Sequence, residues 1–182
     1  MSGARTGFAD PASIELLSLD VDGVLTDGGI TYSASDELKS FTSRDGFGLR
    51  LWQRAGGRVA IVTGRGGDAV RRRAEELGIT TLLERVSDKA EAVSKLTEQT
   101  GVAPERMTHV GDDWPDLALF RLVGYPVAVA DAEPLVREHA AWVTPRAGGR
   151  GAVRDVVNHL LSARGVLDEL ATHWTGEAQS ER

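Results

Sequence analysis

Short apolar segments alternate with helix-like segments along most of this chain, and this alternation is the feature that most constrains its fold. The apolar segments are residues 14–19, 59–62, 79–83, 107–110, 127–130 and 142–144. Helical patterns are found at residues 45–55, 68–77, 87–99, 134–139 and 153–163, with one more beginning at Pro115. Strands that alternate with helices and are apolar throughout predict a parallel sheet covered on both faces. The predicted fold is therefore α/β: a doubly wound, Rossmann-like parallel sheet.

Polar residues follow several of these apolar segments at the point where each predicted strand ends. They are Asp20 and Asp22, then Thr63 and Arg65, then Asp112 and Asp113, with Lys89 at the start of a helix. The carboxyl ends of parallel strands share one edge of a sheet, and ligands bind at that edge. We therefore expect these side chains to form one site.

Their chemistry matches that of phosphoryl transfer, which needs a nucleophile, a cation and donors for the phosphoryl oxygens. Asp20 is the predicted nucleophile and forms an aspartyl-phosphate, while Asp22 is the predicted general acid and base. Mg²⁺ prefers oxygen ligands, here the Asp20 carboxylate, the Asp22 backbone carbonyl and Asp112. Thr63 offers a hydroxyl and a backbone N–H to the phosphoryl group, and Lys89 offers a positive charge.

Ordinary structural alternatives exist for each of these residues. An Asp-X-Asp pair also occurs in calcium loops and turns, and the Asp112-Asp113 pair is also typical of a turn before a helix. Thr63 is consistent with a strand-end cap, and Lys89 with a solvated helical lysine. Asp116 is expected to orient a loop rather than bind metal, and His109 to be a core histidine.

Composition bounds the possible functions. The chain has 182 residues, enough for one compact domain, and a net charge of −6, which argues against a nucleic-acid surface. It has no cysteine, which excludes disulfides and thiolate chemistry. No apolar stretch reaches the roughly 18 residues that a membrane span needs. We therefore expect a soluble, cytoplasmic protein without membrane or nucleic-acid partners.

The expected organisation is one domain over residues 14–170. Residues 1–13 are small, polar and aperiodic, which predicts a flexible leader, and residues 171–182 predict a polar tail. A β-hairpin is predicted at about residues 29–41, projecting from the loop after the first strand.

Four groups of residues resemble, in order, the motifs of the haloacid dehalogenase (HAD) superfamily of phosphatases. They are residues 20–24, residues 62–65, Lys89 and residues 111–116. Three further segments, 38–50, 127–132 and 147–154, resemble the 3-deoxy-D-manno-octulosonate 8-phosphate (KDO 8-phosphate) phosphatase family. This resemblance covers about residues 14–170.

The resemblance implies Mg²⁺-dependent hydrolysis of KDO 8-phosphate in lipopolysaccharide precursor synthesis. It implies that Asp20, Asp22, Thr63 and Lys89 are catalytic and that Asp20, Asp22 and Asp112 hold the Mg²⁺. The residues that it places against the sugar phosphate are Asp22, Thr42, Ser43, Arg44, Asp45, Gly46, Arg50, Arg65, Arg73 and Lys89. Thr42-Ser43 departs from the Asn-Val expected before Arg-Asp-Gly, a change that bears on which sugar is recognised. Residues 84–86 lack the glycine usual before the lysine motif.

Spacing between the motifs leaves no room for a lid domain. Asp20 and Thr63 are 43 positions apart and Thr63 and Lys89 only 26. A phosphoryl site without a lid stays open to water. We expect hairpins of neighbouring subunits to associate and help close each site, in a homotetramer like those of the family. Residues 146–150 have two interpretations, a flexible loop or an anion contact that reaches an adjoining subunit.

Two other functions stay open. The first is a nonulosonate 9-phosphate phosphatase, which acts on a nine-carbon sugar acid. The second is a non-catalytic assembly module that keeps the fold; such proteins normally lose an acid from the first or fourth motif, and Asp20, Asp22 and Asp112 are all present.

Overall fold

The computed structural model describes residues 7–34 and 37–175 of the 182-residue chain. Its strands are β1 (Leu16–Leu19), β2 (Thr31–Tyr32), β3 (Glu37–Leu38), β4 (Arg58–Val62), β5 (Thr81–Leu83), β6 (Met107–Gly111), β7 (Tyr125–Ala128) and β8 (Trp142–Val143). Its α-helices are α1 (Ser43–Arg54), α2 (Asp68–Glu76), α3 (Lys89–Thr100), α4 (Leu117–Phe120), α5 (Pro134–His139), α6 (Ala152–Ala163) and α7 (Leu167–Thr175).

Six of the strands form one sheet in the order β5-β4-β1-β6-β7-β8, and every pairing in it is parallel. The central strand β1 is buried at all four positions. Its side chains point alternately to the two faces, as they must in a strand. Leu17 and Leu19 join one apolar cluster with α1 and α6, whereas Leu16 joins another with α3 and α4. The predicted α/β fold, a parallel sheet with helices on both faces, is confirmed.

Helix α1 begins at Ser43, two residues before the helical pattern of residues 45–55. Thr42 is its N-cap, and the Thr42 hydroxyl accepts a hydrogen bond from the Asp45 N–H at 3.2 Å. Asp45 is in the first turn, where it is 1% exposed and accepts a hydrogen bond from the Arg154 N–H at 2.8 Å. The Asp45 carboxylate therefore connects α1 to α6.

Both ends of the described chain are more ordered than the sequence suggested. Residues Pro11–Ser13 form a 3₁₀ turn, the Ala9 N–H donates to the Gly124 carbonyl at 3.0 Å, and Phe8 packs against the core. The loose leader predicted for residues 1–13 is therefore wrong for residues 7–13, while residues 1–6 are outside the described residues.

The predicted polar tail begins inside helix α7. Its residue Trp174 contacts Phe47 of α1 edge to face, with 5.4 Å between the ring centroids. Leu167 and Leu170 of the same helix pack against the core. The tail prediction is therefore wrong for residues 171–175, and residues 176–182 are outside the described part of the chain.

The predicted hairpin is formed by β2 and β3, which pair antiparallel apart from the main sheet. It is short and its apolar side chains are open to solvent: Ile30 is 46%, Tyr32 74% and Leu38 55% exposed. Among residues 7–34 and 37–175, no helix combines the length and the apolar composition needed to cross a bilayer.

Candidate active site

The backbone turns sharply directly after β1, between Asp20 and Leu25. Gly23 has a positive φ of 89°, a conformation that glycine adopts without strain. A Cβ atom at Gly23 would be 2.0 Å from Oδ2 of Asp112, which follows β6. Position 23 therefore requires glycine for two reasons, the positive φ of its backbone and the close approach of the Asp112 carboxylate.

Three carboxylates meet at this edge of the sheet. One oxygen from each of Asp20, Asp112 and Asp116 is within 4.8 Å of the other two. Burial, and then the charges of Asp116 and Asp20, raise the pKa of Asp112 to about 8, and Asp112 Oδ1 is buried without a hydrogen-bond partner among the described residues. Hard oxygen donors and excess negative charge are what a divalent cation such as Mg²⁺ requires. These residues fit such an ion, with Asp20 and Asp112 as its side-chain ligands.

Lys89, the first residue of α3, lies between two of these acids. Its Nζ is 3.0 Å from Asp20 Oδ1 and 2.5 Å from Asp116 Oδ1, and the side chain is 7% exposed. Burial opposes its charge, but the charges of Asp116 and Asp20 outweigh burial and raise the pKa of Lys89. Burial likewise raises the pKa of Asp20 to about 6, against the charge of Lys89. The prediction that Lys89 and Asp112 share one edge with Asp20 agrees with this geometry.

Asp116 acts as a support rather than a free ligand. Its Oδ2 accepts hydrogen bonds from the N–H groups of Asp112 and Asp113 at 3.0 and 3.3 Å. Its Oδ1 accepts from Lys89 and faces His109 Nε2 at 3.0 Å. Burial disfavours its charge, yet the hydrogen bonds and charges of these partners hold the pKa of Asp116 well below its usual range. With both oxygens engaged, Asp116 has the orienting role that the sequence suggested.

Asp22 lies near two cationic side chains, Lys39 and Arg65. Lys39 Nζ is 2.5 Å from Asp22 Oδ1 and 2.6 Å from Glu37 Oε1, and the Lys39 side chain is only 2% exposed. Arg65 donates to Glu37 at 2.8 Å, and hydrogen bonds from Arg65 and Lys39 lower the pKa of Glu37 to about 2. Asp22 Oδ2 has no hydrogen-bond partner among the described residues. Arg65 Nε is 3.9 Å from that oxygen.

Lys39 was not identified as a site residue from the sequence. It lies in the Leu38-Lys39-Ser40-Phe41 segment that carries part of the family resemblance, 17 positions from Asp22. The available signal was a lysine directly after a predicted hairpin strand. Its contact with Asp22 depends on the hairpin folding back over β1, which no local pattern encodes.

Thr63 ends β4, next to β1, but only part of its predicted role is possible here. Its backbone N–H donates to the Leu83 carbonyl at 2.9 Å and so continues the pairing of β4 with β5. Its hydroxyl accepts from the Arg65 N–H at 3.2 Å and keeps its own proton to donate. The expectation of a free Thr63 N–H is therefore wrong, and only the hydroxyl remains to contact a phosphoryl group.

The other predicted substrate-binding residues surround the start of α1. Arg73 Nη2 donates to the Thr42 carbonyl at 3.0 Å, and a Cβ at Gly46 would be 2.3 Å from that nitrogen. The Arg73 side chain has its Nε buried without a hydrogen-bond partner among the described residues. It borders a cavity of about 550 Å³ between β3 and α2 that Glu37 and Lys39 also line.

One predicted contact disagrees with this arrangement. Asp45 is 1% exposed and accepts a hydrogen bond from the Arg154 N–H at 2.8 Å, so the prediction that it contacts a substrate directly is wrong. Arg50 is exposed and donates to the Glu76 carbonyl at 3.0 Å, and its contact with a substrate stays a prediction. Ser43 and Arg44 are exposed at the start of α1.

The loop of residues 146–150 packs on the catalytic turn of the same chain. A Cβ at Gly148 would be 1.7 Å from the Gly23 carbonyl oxygen, and Arg150 Nη2 is 3.0 Å from Asp27 Oδ2. The first interpretation of this loop, a flexible connection, is incomplete, because these contacts brace the turn that carries Asp22.

Comparisons with known proteins agree with this site. Residues 82–156 match the family model of haloacid dehalogenase-like hydrolases. The chain is 49% identical over 163 residues to the 3-deoxy-D-manno-octulosonate 8-phosphate phosphatase KdsC of Escherichia coli (strain K12), covering 89% of this chain and 87% of that one.

Two solved structures are similar throughout. One is the 3-deoxy-D-manno-octulosonate 8-phosphate phosphatase of Moraxella catarrhalis in complex with magnesium ion, phosphate ion and KDO, with a TM-score of 0.88, 36% identity and coverage of 91% of this chain and 95% of that one. The other is the cobalt-bound enzyme YrbI of Haemophilus influenzae, also with a TM-score of 0.88 and 36% identity, covering 93% and 99%.

The fold and the acidic site therefore define a hydrolase of the haloacid dehalogenase-like class. At 49% identity over most of its length, the chain belongs within that class to the 3-deoxy-D-manno-octulosonate 8-phosphate phosphatase family.

Proposed function

We propose that this protein is a Mg²⁺-dependent phosphomonoesterase that hydrolyses KDO 8-phosphate to KDO and inorganic phosphate. The observation that carries the proposal is the convergence of Asp20, Asp112 and Lys89 at one edge of the sheet. The names of the similar proteins supply the substrate, and the Moraxella catarrhalis complex with magnesium, phosphate and KDO supports both the ion and the sugar acid.

The residues of this chain suit a two-step displacement. Asp20 attacks phosphorus, the bond to the sugar oxygen breaks, and Asp22 gives its proton to the leaving alkoxide. Asp22 then takes a proton from a water molecule that attacks the aspartyl-phosphate, which releases phosphate and restores Asp20. Lys89 and the Thr63 hydroxyl are the donors for the phosphoryl oxygens. Mg²⁺, when bound by Asp20 and Asp112, would supply positive charge against the phosphoryl dianion.

The test is phosphate release from KDO 8-phosphate with and without Mg²⁺. Asp20→Asn removes the nucleophile and should lower kcat at least about 10³-fold, because carboxamide is a poor nucleophile. Asp168→Asn is the matched control, since Asp168 is an exposed acid in the first turn of α7. Turnover that persists in Asp20→Asn would contradict the covalent route, and a wild type without turnover would favour the non-catalytic assembly module.

A substrate panel separates KDO 8-phosphate from the nine-carbon alternative. Arginine can bind a carboxylate or a phosphate through paired hydrogen bonds, and Arg73 borders the 550 Å³ cavity. We expect Arg73→Ala to raise KM for KDO 8-phosphate about tenfold or more. Arg106→Ala should not, because Arg106 is an exposed arginine directly before β6, at the opposite end of the strands. A higher kcat/KM for a nonulosonate 9-phosphate than for KDO 8-phosphate would favour the alternative enzyme.

We also propose that the enzyme is a homotetramer whose hairpins meet. The support is the exposure of three apolar hairpin residues, Ile30, Tyr32 and Leu38, on a two-stranded sheet too small to be stable alone. Tyr32→Asp should shift the sedimentation coefficient toward the monomer. Leu122→Asp, at an apolar residue away from the hairpin that is 45% exposed, should not. A wild type that is active and strictly monomeric would contradict this proposal.

The proposed reaction places the enzyme in the cytoplasm, within lipopolysaccharide precursor synthesis. Sugar phosphates carry charge and do not cross a bilayer unaided, so the enzyme must work in the compartment that makes its substrate. Cell fractionation would check this, and recovery of the native enzyme outside the cytoplasmic fraction would contradict it.

A further inference from the structure

A chain of buried polar groups runs behind the catalytic edge and ends on the nucleophile. Ser18 Oγ of β1 is 3.0 Å from His109 Nδ1 of β6, and His109 Nε2 is 3.0 Å from Asp116 Oδ1. The same Asp116 oxygen is 2.5 Å from Lys89 Nζ, which is 3.0 Å from Asp20 Oδ1. The proposed mechanism uses Asp20 and Lys89 but gives no task to His109, which has no exposed surface.

We propose that His109 is a positioning residue for phosphoryl transfer: by donating from Nε2 to Asp116, it fixes the carboxylate that holds Lys89 against Asp20. This inference rests on the proposed phosphatase function and deepens it. The hydrogen-bond partners of His109 are Ser18 and Asp116, and neither is a proposed ligand of the cation, so His109 acts through Asp116 and Lys89.

The hydrogen bonds define which nitrogen carries the proton. Asp116 is an acceptor when ionised, so the atom that faces it, His109 Nε2, must donate. Nδ1 is then an acceptor in the neutral ring, and the Ser18 hydroxyl donates to it. Asp116 therefore selects the tautomer, Ser18 complements it, and both ring nitrogens are satisfied at 3.0 Å. The ring of Phe120 contacts His109 edge to face at 6.2 Å between centroids and limits its rotation.

Asp116 shows why this donor matters for Lys89. Its Oδ2 is held by two backbone N–H groups, whereas its Oδ1 is held by only two side chains, His109 and Lys89. Without the His109 hydrogen bond, Lys89 would be the one side chain of the described residues left in contact with Asp116 Oδ1. The Lys89 ammonium group could then shift toward Asp116 or toward Asp20. The geometry of Lys89 at Asp20 would then be less well defined, and small displacements at a reacting group lower rates strongly.

The competing explanation is that His109 only satisfies buried polar groups and stabilises the fold. Three variants separate the two roles. His109→Gln keeps a neutral donor toward Asp116 and an acceptor for Ser18, while His109→Phe keeps a ring against Phe120 and removes both hydrogen bonds. Lys89→Met removes the group through which His109 is proposed to act.

The experiment measures kcat, KM and Tm with Mg²⁺ for each single variant and for His109→Phe combined with Lys89→Met. We expect His109→Phe to lower kcat about 10- to 30-fold with KM within about 3-fold, and His109→Gln to recover most of kcat. In the Lys89→Met background, His109→Phe should lower kcat less than about 2-fold, because the effects of substitutions at residues that act through one another are not additive. An unchanged kcat in His109→Phe, or the same loss in both backgrounds, would overturn the proposal.

Two further arms keep the inference decidable. If His109→Phe does not fold, Ser18→Ala replaces it, alone and combined with Lys89→Met. We expect Ser18→Ala to lower kcat about 3-fold or more in the wild-type background and to have no effect in the Lys89→Met background. An unchanged kcat in Ser18→Ala would overturn the proposal. Affinity for inorganic phosphate with Mg²⁺, by calorimetry, should weaken about 3-fold or more in His109→Phe but not in His109→Gln. If the wild type does not hydrolyse KDO 8-phosphate, hydrolysis of p-nitrophenyl phosphate and the affinity for inorganic phosphate still test the role of His109. A wild type that neither hydrolyses these two phosphate esters nor binds inorganic phosphate would overturn both proposals.

Discussion

Raising the pH of the metal-free protein from about 6.5 to about 8 should weaken its fold, because Asp112 must ionise beside two other carboxylates. Burial, and then the charges of Asp116 and Asp20, raise the pKa of Asp112 to about 8, whereas an aspartate in an unfolded chain titrates near 4. Over this pH range the folded chain binds more protons than the unfolded chain, so the free energy of unfolding falls as the pH rises. At about 1.4 kcal/mol for each pKa unit, the loss is ~2 kcal/mol.

For a protein of this length, ~2 kcal/mol corresponds to a decrease in Tm of about 4–8 °C. The assay is thermal unfolding of EDTA-treated wild type and Asp112→Asn at the two pH values, each with and without excess Mg²⁺. Asp112→Asn lacks the titrating group, and burial keeps His109 neutral at both pH values by lowering its pKa, so the variant should lose less than about 2 °C. Mg²⁺ should raise the Tm of the wild type more at the higher pH, because the cation binds the ionised carboxylates.

The reasoning would be refuted by a metal-free wild type whose Tm does not fall between these pH values. It would equally be refuted by the same decrease in Asp112→Asn, because the loss would then come from groups outside the carboxylate cluster.

Two substitutions test the parts of the site that surround these acids. Gly23→Ala places a Cβ 2.0 Å from Asp112 Oδ2, so we expect at least about tenfold weaker Mg²⁺ activation of phosphate release. Gly28→Ala is the control, because Gly28 also has a positive φ but its Cβ would have no atom nearer than 3.6 Å. Equal effects of the two substitutions would contradict the steric argument. Lys39→Met leaves two carboxylates without their shared partner and should lower the unfolding free energy by about 2 kcal/mol and reduce kcat. Lys95→Met, on the exposed face of α3, should change neither quantity, and an unaltered Lys39→Met enzyme would refute the role of that contact.

The sheet and the convergence of Asp20, Lys89 and Asp112 could be predicted because both depend on simple periodicity. Apolar strands alternating with helices must pack in parallel, and parallel strands bring their carboxyl ends to one edge. The role of Asp116 could be anticipated for the same reason, since it follows β6 by one turn of helix.

What the sequence did not reveal depends on how elements meet. Whether the Thr63 N–H is free depends on how far β5 extends beside β4, and the Leu83 carbonyl proved to be within reach. Helix α7 did leave a signal, because Leu167, Leu170 and Trp174 recur at helical spacing, but the polar residues among them suggested a tail. Amphipathic helices at a chain end are polar on average and are recognised only by their period.

Charge balance explains why this edge of the sheet suits a divalent cation. Asp116 is neutralised by Lys89, and the neutral His109 adds no charge. Once Asp112 ionises above its pKa of about 8, or loses its proton to an incoming cation, Asp20 and Asp112 carry two negative charges between them. Two unit charges no more than 4.8 Å apart repel by about 3.5 kcal/mol or more at an effective dielectric constant of 20. A divalent cation converts that repulsion into attraction and matches the charge of the pair. The positioning network and the metal site are therefore one electrostatic unit, in which Lys89 decides how much negative charge remains for the cation.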